Sequence, residues 1–176
     1  MIHLAYGLRR GTVLVLLFST LLTAACRTKT QGPPTASPTI QADPRLPVIV
    51  FTSAFGGRAS FGVEIEANDA QREHGLMNVR SLPADQGQIF VFQDVAPNQD
   101  VLVSFWMHDT LVPLSIAFIS GDGHVQEIQD MAPESDTIHT PQRPYRYAIE
   151  ANQGWYARHG VQAGSAVDLS AVTKGG

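Results

Sequence analysis

Four consecutive residues, Trp106, Met107, His108 and Asp109, place an indole, a thioether, an imidazole and a carboxyl group just before an apolar segment, and a further carboxyl group, Glu150, lies in a later alternating stretch. The imidazole and the carboxyls are groups that move protons. Two carboxyls facing one substrate at about 5–10 Å would suit hydrolysis or elimination on a polymer such as a polysaccharide. An indole at a rim offers flat apolar area and one N–H donor, which suits a carbohydrate, a peptide or an aromatic ligand. Glu150, Asp109 and His108 are therefore the catalytic candidates. Trp106, His108, Asp109, Tyr147 and Glu150 are the candidate ligand contacts.

Each candidate also has a plainer reading. Glu150 alternates with Tyr147 and Ile149, so strand parity turns it away from both and towards the side of Arg146, where it would be solvated or ion-paired. His108 and Asp109 are adjacent and would face opposite sides of a strand, although a turn would bring them together. Asp109 before Thr110 equally suits a turn or cap. Met77 fills space more readily than it binds a metal.

Other chemistries lack their residues. His74, His108, His124, His139 and His159 are spread along the chain without His-Glu-x-x-His spacing, so no metal site is expected. No glycine-rich phosphate cradle and no Gly-x-Ser-x-Gly elbow occurs, and Ser104 and Ser115 have no identifiable base. No cofactor is expected.

The elements that must position the candidates are short strands. Residues 114–128 read as a β-hairpin, with Leu114, Ile116 and Phe118 apolar and Gly121 and Gly123 in the turn. Strands are also expected at 48–52, at 61–67 with Phe61, Val63 and Ile65 facing a core and Glu64 and Glu66 facing water, and at 88–92, 101–106, 145–150 and 166–169. Asn68 and Gln71 form a capping-box pattern for a helix over 69–74, closed by Gly75. A second short helix fits 152–159. Residues 130–144 are polar and proline-marked, hence a surface excursion. The expected fold is mainly β: a single compact β-sandwich-like or open-barrel domain of six to eight short strands with two short helices.

The 176 residues carry a net charge of −4. Residues 26 onward keep all 16 acidic and 10 of the 12 basic residues, and no basic run is available to displace counterions from a nucleic acid. At the start, Arg9 and Arg10 precede an apolar stretch, 13–25, that is too short for an ordinary membrane span with flanks and reads as a secretory signal. The chain's one cysteine, Cys26, follows Thr23, Ala24 and Ala25. That pattern resembles the lipobox of bacterial lipoproteins, with Thr23 where Leu or Val is usual, and it implies diacylglyceryl transfer to the Cys26 sulfur and cleavage before it. More than one acyl chain gives durable anchoring to a bilayer. Arg27 in place of an acidic residue points to the periplasmic side of the outer membrane in a Gram-negative host, and otherwise to the outer face of the cell membrane. The expected organisation is a signal peptide at 1–25, a lipid-attachment cysteine and Pro/Thr-rich tether at 26–47, a β-rich domain at 48–172 and a tail at 173–176.

An ordered set of landmarks, Gly75-Leu76-Met77, Phe90-Val91-Phe92, Trp106 to Thr110, Pro113-Leu114, Gly123, Tyr147 to Glu150 and Gly154, resembles domain-of-unknown-function family 192, small proteins of bacteria and archaea. The likeness spans about residues 60–170. It implies a compact β-sandwich-like domain, often behind a signal peptide or lipid anchor, and no established activity. The family usually reads Trp-Met, then Lys or Arg, Asn and Thr, and later Pro-Leu-Asp; here His108, Asp109 and Ser115 stand instead. The reading favoured by address, architecture and residue mixture is a membrane-tethered envelope module that binds a small molecule, glycan or peptide. The alternatives are a carboxylate-based hydrolase or lyase acting on an envelope polymer and a protein-interaction or assembly factor.

Overall fold

The computed structural model describes residues 40–92 and 99–173. The expected signal segment and Cys26 lie outside the described residues, as does most of the expected tether. Among the described residues no helix is long and apolar enough to cross a membrane.

Seven strands form one mixed sheet: β1 (Val48–Thr52), β2 (Arg58–Glu66), β3 (Gln86–Val91), β4 (Leu114–Ile119), β5 (Val125–Met131), β6 (Tyr147–Asn152) and β7 (Ala166–Asp168). Their order is β5-β4-β6-β3-β2-β1-β7, antiparallel throughout except for β2 and β3. The parallel pair is joined through α1 (Asp69–His74), because a parallel connection must cross over the sheet. The outer strands approach each other: the Val167 N–H donates to the Gly123 carbonyl and the Val125 N–H to the Ser165 carbonyl. The sheet therefore curls into a half-barrel, as the mainly β expectation requires.

Both faces are covered. On the inner face, Phe61, Val63, Ile89, Ile149 and Val167 pack with Trp155 and Tyr156 of α2 (Trp155–Arg158). The Trp155 ring lies 4.6 Å from Phe61 and 5.4 Å from Phe51, and Tyr156 donates its hydroxyl to the Ile149 carbonyl. On the other face, Phe90, Leu114, Ile116, Phe118, Met131 and Ala148 are roofed by Leu76, Met107, Val112 and Tyr145. A further short helix, α3 (Ser170–Thr173), follows β7.

Three local expectations change. Residues 101–106 form no strand; Val101 bridges Tyr145 and Phe105 bridges His139. Four residues on one side thus span six on the other, so a continuous ladder is impossible, and the Tyr145 hydroxyl takes the intervening Val103 carbonyl. Glu66, expected in water beside exposed Glu64, is 5% exposed because α1 and Ile40 cover that end of β2. The last tether residues dock rather than hang free: the Gln86 amide accepts from the Asp43 N–H and donates to the Asp43 carbonyl, while Ile40 packs on the roofed face.

Candidate functional site

α1 begins as its residues dictate. Asn68 accepts from the Gln71 N–H, Gln71 accepts from the Asn68 N–H, and Gly75 ends the helix at φ 45°. Leu76 anchors the following turn, and the Asn78 N–H donates to the Asp109 carbonyl at 2.7 Å. Helix and turn thus stand opposite residues 101–110, with the sheet as floor.

Between them is a cleft of about 400 Å³, within the usual range for small-molecule sites. Its walls are mostly apolar: Leu76, Met77, Phe90, Phe92, Val101, Val103, Phe105 and Trp106. Asp69, Arg72, Glu73, His74, Ser104, Thr110 and Glu150 supply its polar groups. Phe90 and Phe105 meet edge to face at 5.0 Å. Arg72 sits over the Phe92 ring at 5.1 Å, donates to the Ala67 and Val91 carbonyls, and pairs with Asp69.

Glu150 is the buried acid of the cleft. Its strand parity puts it on the same face as Ala148 and Phe90, directly across from Gln88 and Ile116. It is 5% exposed, and desolvation first, then the charge of Glu66, pushes its carboxyl up to about 8. Among the described residues no hydrogen bond offsets that burial. Arg146 does not pair with it; Arg146 reaches Asp100 instead. Glu66 lines an adjoining hollow with Gln88, His74 and Gly75, and burial, then Glu64, raises it to about 7. Between the two acids, the Gln88 Oε1 is buried without a partner.

Trp106 stands at the rim, 48% exposed, with its indole stacked on the His108 ring at 4.8 Å. His108 bonds Asp136 through Nδ1 at 3.0 Å and lies 3.7 Å from Asp109 through Nε2, and these two acids raise its pKa, Asp136 foremost. Asp109 itself occupies a turn at φ 53°. His108 and Asp109 thus back the indole and do not line the cleft. Tyr147 lies on the opposite face of β6, packed against the inner core. The structure therefore joins Trp106 and Glu150 in one cavity, sets His108 and Asp109 behind the first, and separates Tyr147 from all of them.

Residues outside the expected set complete the cleft, namely Phe90, Phe92, Phe105 and Arg72, while Gln88 and Glu66 line the hollow beside it. A period-two signal was available for part of this, because Gln88, Phe90 and Phe92 share one strand face. Among the described residues no group of three or more His, Cys, Asp or Glu is placed to hold a metal.

Ser115 faces away from this cleft. Its hydroxyl donates to Asp130 at 2.5 Å and accepts the Gly154 N–H at 3.0 Å. The carboxylate that the family pattern places at 115 thus has a counterpart one strand away, relayed to the start of α2 by a hydroxyl. A hollow of about 510 Å³ lies there, but these polar groups already satisfy one another.

No curated protein matches the chain. Solved structures do, among them two crystal structures of bacterial proteins. A candidate transcription regulator from Sinorhizobium meliloti 1021 is 31% identical, with TM-score 0.64, over 69% of this chain and 91% of that one. A protein of unknown function from Novosphingobium aromaticivorans DSM 12444 is 28% identical, with TM-score 0.63, over 78% of this chain and 99% of that one. Residues 51–169 match DUF192, described as an uncharacterized ACR family, and by that span the chain belongs to it.

Proposed function

We propose that this protein is a non-catalytic binding module that captures a small, largely apolar ligand between α1 and residues 101–110, tethered in the cell envelope through acylated Cys26. The observation that carries this reading is one cavity holding both an exposed indole, Trp106, and a buried carboxyl, Glu150, with no donor among the described residues. Apolar walls supply the affinity and a lone polar group at the floor sets the orientation. A paired-carboxylate hydrolase using Glu150 and Asp109 has less support, because Asp109 stands outside the cavity. The signal-like start and Cys26 support the envelope address. The description of the Sinorhizobium relative as a transcription regulator is not carried over, since the sequence offers no basic run for a phosphate backbone.

The test is extraction of the purified full-length chain, produced in a bacterium that exports it, followed by mass spectrometry of the small molecules released. The reading predicts a compound that accompanies the parent and is lost from both Trp106→Ala and Glu150→Leu while the fold is retained. The same compounds at the same yield from all three proteins would contradict it.

A further inference from the structure

Resting on the binding reading above, we infer that the cleft takes a primary ammonium on a short apolar or aromatic stem, with the nitrogen donating to the Glu150 carboxylate. The floor of the cleft offers one buried acceptor, Glu150, which has no donor among the described residues, and the adjoining hollow adds the carboxyl of Glu66 and the buried, unpartnered Gln88 Oε1. Register makes Glu64, Gln88 and Glu150 cross-strand neighbours on one face of the sheet, so the hollow lies directly beside the floor of the cleft.

Once ionised, the Glu150 carboxylate calls for a group that brings N–H bonds and positive charge, and a primary ammonium brings three N–H donors. Phe90, Phe105 and Trp106 add aromatic surface that favours a cation and an apolar stem. The resident cation, Arg72, has its guanidinium on the Ala67 and Val91 carbonyls and on Asp69, so it belongs to the wall. Asp69 and Glu73 at the mouth leave the lining acidic. With Glu150 ionised, a carboxylate ligand would meet repulsion at the floor, and an alcohol would leave that charge uncompensated.

The ionisable groups whose charge couples with Glu150 are Glu66 of β2 and Tyr156 of α2, and Asp69, Arg72, Glu73 and His74 of α1 line the cleft with it. Glu150 holds its proton near neutrality in the empty cleft. An ammonium that enters with its own charge therefore displaces one proton into solvent, and its affinity climbs about tenfold per pH unit below the Glu150 pKa.

The experiment is calorimetric titration of the full-length chain with 2-phenylethylammonium and with 2-phenylethanol, in two buffers of different ionisation enthalpy. We expect the ammonium to bind at least tenfold more tightly than the alcohol at pH 8, to gain about tenfold between pH 6 and pH 7, and to release close to one proton at pH 6. Glu150→Gln, nearly isosteric and neutral, should erase the preference and the proton release while still binding the alcohol. Equal binding of both probes, sensitive to Trp106→Ala, would overturn the ammonium assignment and leave the binding module standing. Binding of neither at millimolar concentration would overturn both.

Discussion

Glu150 and His108 are the two residues whose protons report on the site. The unfolded chain releases the Glu150 proton near 4.5 and the folded chain near 8. The folded state thus holds the extra proton between those values, and the associated stability, full below pH 4.5, is lost as pH rises through 8. Glu66, raised to about 7, adds to the same slope. Glu150→Gln should melt with the parent at pH 5 and well above it at pH 9, by on the order of 4 kcal/mol in thermal or denaturant unfolding; equal midpoints at both pH values would contradict the burial argument. At the rim, the His108 ring should titrate above 6.5 by NMR, and Asp136→Asn should bring it back down, since Asp136 is its leading partner. Parity alone placed Glu150 on a face opposite Ile149, but parity is silent on what covers that face. The cover comes from α1 and residues 101–110, joined by contacts such as Asn78 with Asp109 that no local pattern encodes. Glu66 departs from its water-facing expectation for the same reason.

Elements were legible where chemistry is local. The capping box at Asn68 and Gln71, the two-glycine turn at Gly121 and Gly123, and the alternation through Phe61, Val63 and Ile65 depend on residues within a few positions of each other. Residues 101–106 look like a strand, yet their partner segment has two residues too many, a mismatch visible only once Val101 meets Tyr145 and Phe105 meets His139. The β3 and β6 strands show how tightly the floor of the cleft is set. A Cβ on Gly87 would lie 2.0 Å from the Glu150 carbonyl oxygen and 2.9 Å from the Phe61 ring. Gly87→Ala should therefore cost about 3 kcal/mol or more in chemical denaturation, because backbone and not a flexible tip must move. On the far face, Ser115→Ala should cost about 1–2 kcal/mol, since it strips the Gly154 N–H of its acceptor and Asp130 of a donor.

At the scale of the whole molecule, one curled sheet separates two tasks. Its inner face packs Trp155 and Tyr156 into a core, and its outer face supports the cleft under a helix and a loop. The seven strands were readable from alternation and turns; the convergence of Trp106 with Glu150 was not, because the two belong to segments brought together only by sheet order. The proposed envelope address makes its own prediction: the parent chain should fractionate with membranes and incorporate labelled fatty acid, and Cys26→Ser should appear unlabelled in the soluble fraction. The most direct measurement of the central claim is a high-resolution crystal structure of the chain purified from an exporting bacterium with no ligand added. The account predicts density for a bound molecule between the Trp106 indole and the Glu150 carboxyl, with a donor within hydrogen-bond distance of Glu150. A cleft closed by side chains, with Glu150 and Gln88 bonded to neighbouring backbone, would contradict it.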